Sequence, residues 1–270
     1  MRLIRRISGF LWLTGVLILT HLIARSIFPE NNVAVDLLLF NSIGVMAAVI
    51  AFNAPLHADR ISANSFGAAA LVWSMGSFFS TWNSFFELQI PAAISDICYA
   101  IFYPLIFIAV TRSFTQKRSM SALEVLDTVI IAVGLTSVLT AFVLKPAMVG
   151  LDGSAWQVFI SILYPVGDIV LLSMVLVYLL LNPLSRRSIF LGLGLLSFAT
   201  SDLFFIWGSL SATYEFGAIT DDGWIIGLVL LSTSLLFSSP ENKLSEKVSS
   251  YGATTALIAS GCLLGVAALK

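Results

Sequence analysis

Four carboxylates stand where a membrane would penalise them. Asp96, Asp127, Asp168 and Asp202 each fall inside a run of mainly apolar residues. A charged side chain at the centre of a spanning helix costs about 2.5–3.5 kcal/mol on the insertion scale. Residues kept at that cost face the interior of a helix bundle, where they pair, meet water, or handle protons and ions. Polar groups recur around them at helical spacing. Asp96, Tyr99 and Tyr103 follow i, i+3, i+7 and share one helix face. Gln157, Ser161, Tyr164 and Asp168 follow i, i+4, i+7, i+11, a polar stripe about three turns long. Gly76, Ser80 and Asn83 share a third face with Trp82 beside it, and Ser201-Asp202 precedes Trp207 on a fourth run.

The chemistry open to these groups is recognition or proton handling. No HExxH, GxSxG, P-loop or GxGxxG pattern occurs. The two histidines, His21 and His57, are far apart, which argues against a His-based metal site. Cys98 and Cys262 lie singly within apolar segments, without the paired spacing of a disulfide framework or metal site. No catalytic group, cofactor or metal is expected.

The elements that must position these residues follow from composition. The chain has 270 residues, 58% hydrophobic and 11% charged, against roughly 25% charged in soluble domains. A helix needs about 20 mainly apolar residues to cross the hydrocarbon core. Such runs occur near 7–28, 34–54, 66–86, 92–111, 122–144, 156–181, 188–210, 223–239 and 251–269, separated by polar, Pro- or Gly-bearing connections. None alternates with period two, which excludes a closed barrel. The expectation is an all-α, polytopic transmembrane helix bundle of about nine spans, forming one domain over 1–270. Arg2, Arg5 and Arg6 precede the first run in the manner of a secretory signal. That run is long for a signal core, and no small-x-small site follows, so it reads as a retained span.

Positive charge orients the chain. With the N-terminus inside and every run crossing, all of the 14 Lys and Arg fall inside except Arg25, Lys145 and Lys270. This is the bias of cytoplasmic loops. The outer loops carry Glu30, Glu87, Asp152, Glu215, Asp221 and Asp222. In that topology Asn83, Tyr99, Tyr164 and Asp202 lie at similar depth, roughly two turns below the outer surface. They suggest an outward polar pocket between the third, fourth, sixth and seventh runs. The candidate ligand-binding set is Asn83, Asp96, Tyr99, Tyr103, Tyr164, Asp168 and Asp202.

Structural roles compete for the same residues. Gly76, Ser80, Ser161 and Ser201 are of the types that let spanning helices approach and hydrogen-bond. Trp156, Trp207 and Trp224 lie near span ends, where tryptophan anchors at the interface. Pro104 and Pro165 can kink their helices. Asp221 and Asp222 precede the eighth run as caps, and Ser121 with Glu124 has capping-box spacing. Asp127 lies within reach of Arg112, Lys117 or Arg118 for an ion pair. His21 suits a helix–helix hydrogen bond, and His57 falls in a loop. Tyr-Pro occurs twice, at Tyr103-Pro104 and Tyr164-Pro165. The two pairs stand in the fourth and sixth runs, so they do not define a four-span repeat.

Several stretches have a familiar form. They are Ser95-Asp96 with Tyr99 and Tyr103-Pro104-Leu105, Leu126-Asp127, Tyr164-Pro165-Val166-Gly167-Asp168, Asp202-Leu203, and Asp222-Gly223-Trp224-Ile225-Ile226-Gly227. Over about residues 70–240 the chain resembles the multi-span N-terminal region of bacterial, actinobacterial-type membrane proteins that end in GGDEF and EAL domains. The resemblance implies a bacterial plasma-membrane location and a sensory or regulatory input to cyclic di-GMP turnover. It also implies a cytoplasmic signalling partner or an output domain. No GGDEF or EAL sequence follows the spans here, so neither cyclase nor phosphodiesterase activity is expected of this chain itself. Nine spans would also leave Lys270 outside. Two readings of the residues follow: a module that binds a small molecule or lipid and signals, or a proton- or cation-coupled transporter using its intramembrane acids. An enzyme ranks below both, and a scaffold role stands beside them. No basic face for nucleic acid is present.

Overall fold

The computed structural model describes residues 2–28, 30–55, 58–115, 184–211, 213–214 and 216–237, and isolated positions between 130 and 179. Within them the chain is all-α, with seven helical elements. Helix α1 spans Arg2–Ile27. A π-helical segment, Val33–Leu39, runs directly into α2, Phe40–Phe52. Then come α3, Arg60–Phe85, and α4, Ala92–Thr115. Helices α5, Arg186–Leu210, and α6, Asp222–Ser234, complete the described set.

Local chemistry sets the helix ends. Asn32 accepts a hydrogen bond from Ala34 N–H at 2.8 Å and opens the π-helical segment. Asp59 caps α3 by accepting from Ile61 N–H at 3.0 Å, and its other oxygen takes Arg112 Nε at 2.7 Å. Arg112 is thus paired within the α3–α4 hairpin. Its sequence-level partner, Asp127, lies outside the described residues, as do His57, Ser121, Glu124 and Lys145. Ser185 and Ser188 form a reciprocal capping box at the start of α5. Asp221 and Asp222 depart from the expected capping role. The N-cap of α6 makes no side-chain cap bond, because both carboxylates turn to other partners described below.

The helices pack around an apolar centre that includes Phe40, Ile43, Phe66, Trp73, Phe102 and Phe198, all buried. Helix α3 packs against α2, α4 and α6, and α5 packs against α6. Small residues permit the closest of these approaches. A Cβ at Gly227 would stand 2.8 Å from Gly194 O, and one at Gly194 only 3.0 Å from Gly227 O. Two backbones this near leave no room for a side chain between α5 and α6.

Four helices are long and apolar enough to cross a membrane: Ser8–Ile27, Val33–Phe52, Ala92–Ser113 and Arg186–Ser209. The described residues therefore contain four such helices, not nine. The third expected run forms a long helix but falls short in apolarity. Its neighbours cover it, so it tolerates buried Ser62, Ser74, Ser77 and Thr81. The eighth forms a 13-residue helix, about 20 Å long against a core of about 30 Å. The ninth run lies outside the described residues, and the fifth and sixth are represented by isolated positions. Helix α1 shows Trp12, Leu19 and Ile23 at 76%, 61% and 58% exposure. An apolar surface of that kind suits lipid contact. Four helices of this length and apolarity mark a multi-pass membrane helix bundle.

Candidate functional site

A cavity of about 430 Å³ opens among these helices. Its walls come from the C-terminal parts of α1, α3 and α5, the N-terminal parts of α4 and α6, the π-helical segment with Phe40 at the start of α2, Tyr164, and the 213–221 connection. Successive helices reverse direction, so all these parts meet at one end of the bundle, opposite the start of α1. Asp96, Tyr99, Tyr103, Tyr164 and Asp202 all line it. Five of the seven expected residues thus stand together in the cavity wall.

Aromatic rings brace this side. Tyr99 meets Tyr164 edge-on with centroids 6.1 Å apart, and Tyr103 stacks on Tyr164 at 6.0 Å. Trp73 stands behind them, 6.2 Å from Tyr99 and 6.0 Å from Trp224. Two glycines make space for the rings. A Cβ at Gly76 would lie 3.0 Å from Tyr99 Cε1, and one at Gly167 would collide with the Tyr103 ring. Gly167, in the Tyr164–Asp168 stretch, thus shapes the site although it carries no chemistry.

Tyr103 sits between two acids. Its hydroxyl lies 3.2 Å from Asp168 Oδ1 and 3.0 Å from Asp202 Oδ2. Asp202 also accepts from Trp224 Nε1 at 2.5 Å. A hydroxyl has one proton. Both contacts are hydrogen bonds only when a carboxyl group carries a second one. Asp168 is buried behind Tyr103 and does not line the cavity, and its Oδ2 has no partner among the described residues. Its expected place in the ligand-contacting set is corrected to one behind the wall.

Asn83 is a second correction. Its side chain donates to Ile90 O and accepts from Ile90 N–H, both at 2.7 Å. These bonds fold the α3–α4 connection back on itself and keep Asn83 out of the cavity wall. Trp224 is a third. Its indole is a cavity wall bonded to Asp202, not an interfacial anchor, whereas Trp207 is 67% exposed. Asp96 lines the cavity as expected, and Trp156 Nε1 donates to it at 3.3 Å.

The opposite side holds residues that spacing did not single out as site members. His21 Nε2 meets Asp222 Oδ1 at 2.8 Å, linking α1 to α6. The helix–helix role expected of His21 is realised, with Asp222 as partner. Arg25 pairs with Asp36 at 3.2 Å and donates to Gly217 O. Arg25 is one of the few basic residues on the outer side of the sequence-based topology, and the cavity accounts for its position. Gly217 has a φ of 78°, which its lack of a Cβ permits. Asp36, overlooked inside an apolar run, also accepts from Asn32 N–H at 2.7 Å. Asp221 accepts from Tyr214 Oη and Gly217 N–H, both at 3.0 Å. Burial pushes the Asp221 carboxyl up to about 6, helped by the charge of Asp222 and opposed by those hydrogen bonds and Arg25. Burial, then the Asp221 charge, raises the Tyr214 phenol above its ordinary range. His21 with Asp222 and Arg25 with Gly217 meet across the chain, where local sequence carries no signal, while Asp36 with Asn32 and Asp221 with Tyr214 and Gly217 are contacts within a connection whose fold spacing does not give.

No family model, curated protein or solved structure matches the chain.

Proposed function

We propose that the chain is a membrane-embedded sensory or regulatory module that binds a small molecule or lipid in its end-facing cavity. The observation that carries this reading is the cavity itself, which gathers walls from every described helix, α2 through Phe40, together with the π-helical segment and the 213–221 connection. Its size lies within the roughly 300–1,000 Å³ range of small-molecule pockets. Occupancy would bear on several helices at once, and so bias a two-state packing of the bundle. With the N-terminus inside, as the positive-charge bias suggests, the cavity, at the end opposite the start of α1, faces outward. The signal then passes to a cytoplasmic partner or output domain of the cyclic di-GMP type, in a bacterial plasma membrane.

The test uses the full chain in lipid nanodiscs, challenged with small-molecule and lipid pools while thermal stability and helix accessibility are followed. A saturable shift, lost in Tyr99→Ala and Tyr164→Ala, supports the module. Stability that ignores every pool counts against it.

One observation favours a second reading, a proton- or cation-coupled transporter. The Asp168–Tyr103–Asp202 trio is a place where a proton could be held and passed. Proteoliposome flux that disappears with Asp168→Asn would favour transport, and silent liposomes would favour the sensor.

A further inference from the structure

The cavity wall carries more negative charge than its own cations can balance. Of its acids, Asp36 faces Arg25, and Asp222 meets His21, which balances a charge only when its imidazole is protonated. Asp96, Asp202 and Asp221 line the same space with no ion-pair partner among the described residues. Arg25 already faces the Asp36 carboxylate and the Gly217 carbonyl, so its positive charge is offset before any anion enters. Unbalanced carboxylates beside a low-dielectric wall are costly, and a cation that enters offsets that cost.

Two further features narrow the cation. The acids are spread around the walls, and no group of three His, Cys, Asp or Glu among the described residues converges to hold a metal ion. Between them stand the rings of Trp73, Tyr99, Tyr164, Phe205 and Trp224, and ring faces attract an organic cation held within about 6 Å. His21 adds a polar atom. It is 2% exposed and lines the cavity, and its Nδ1 has no partner among the described residues. In the tautomer that donates Nε2–H to Asp222, Nδ1 is an acceptor that needs a donor.

We infer that the ligand of this cavity is a small organic ammonium ion bearing N–H groups, with its charge set among Asp96, Asp202 and Asp221 and its apolar body against the aromatic wall. This rests on the cavity-binding reading above and names its ligand class. A primary ammonium occurs both in free amines and in the ethanolamine headgroup of a lipid, and both fit this chemistry.

Three probes of one body separate charge from shape: 2-phenylethylamine, 2-phenylethanol and phenylacetate. Each is titrated at pH 7.5 into the full chain in phosphatidylglycerol nanodiscs, with fluorescence of the cavity tryptophans Trp73 and Trp224 and thermal stability as readouts. The amine is expected to bind saturably, at least about tenfold more tightly than the alcohol, and phenylacetate not at all. Asp96→Asn and Asp202→Asn each weaken the amine about tenfold, while Asn83→Ala, outside the cavity, leaves its affinity unchanged. Asp96→Asn suffices if Asp202→Asn does not fold. Weaker amine binding in nanodiscs containing phosphatidylethanolamine supports the ammonium site with the lipid headgroup as occupant. Equal binding supports it with a free amine. Binding of the alcohol or the acid without the amine overturns the ammonium assignment and leaves the sensory reading standing. Binding by none of the three probes, and by none of the pools, overturns both.

Discussion

His21 and Asp222 meet at 2.8 Å although they stand 201 residues apart in sequence. Their contact ties the first described helix to the last at the rim of the cavity. His21 is almost wholly buried, so its removal leaves a carboxylate without its partner. His21→Ala is expected to destabilise the protein by about 1–3 kcal/mol. Asp222→Ala should cost a similar amount. The double variant should cost less than the sum, with a coupling of about 0.5–3 kcal/mol. Thermal or denaturant unfolding of the four proteins in one detergent measures this, and strict additivity would contradict the contact.

The acids beside Tyr103 are not equivalent. Asp202 accepts from both Trp224 and Tyr103, whereas Asp168 shares Tyr103 and lies against Asp202 without an indole donor of its own. Asp202→Ala strands the Trp224 indole N–H and should cost about 1–3 kcal/mol. Asp168→Ala leaves Tyr103 its bond to Asp202 and should cost less. Trp224 emission should shift with the first substitution and stay nearer wild type with the second. Equal effects on stability and emission would remove the distinction.

Asp221 makes stability depend on pH. Its folded value of about 6 lies above the ordinary 3.8. Between these values the folded protein holds a proton that the unfolded chain has lost, so stability falls as pH rises. The contribution is complete below about 4 and is lost as pH rises through about 6. Asp221→Asn can still accept from Tyr214 and Gly217 while carrying no charge. Melting temperatures from pH 4.5 to 7.5 should therefore decline in the wild type relative to the variant. Parallel profiles would exclude Asp221 as the titrating group.

Gly76 sets the position of the Tyr99 ring. A methyl group there meets Cys98 Cβ and Tyr99 Cε1, both at 3.0 Å, so the tyrosine must shift. Gly76→Ala is expected to cost about 1–3 kcal/mol through overpacking and to weaken amine binding. Gly9→Ala is the comparison, because nothing lies within 4 Å of its new carbon. Melting curves and fluorescence titrations of both variants decide the matter. Equal behaviour of the two would show that Tyr99 is not constrained from this side.

Sequence alone determined that apolar runs become helices, and that Asp96, Tyr99 and Tyr103 share a face. Helical periodicity and the burial cost of charge are local properties, so both are legible in one chain. The same logic brought Tyr164 and Asp202 to the cavity. It failed at Asn83 and Asp168, because spacing gives a face but not what the face meets. Asn83 turned to its own connection, and Asp168 was screened by Tyr103. It also passed over Asp36 and gave Asp221 and Asp222 the role of helix caps. Their partners, Arg25, Tyr214 with Gly217, and His21, come from other turns and helices. Only tertiary structure decided that α3, less apolar than the spanning helices, is covered by its neighbours, and that Arg25 belongs to an acidic, aromatic cavity. Which charges end up beside one another depends on helix rotation and neighbour order, and those are set by packing the whole bundle at once.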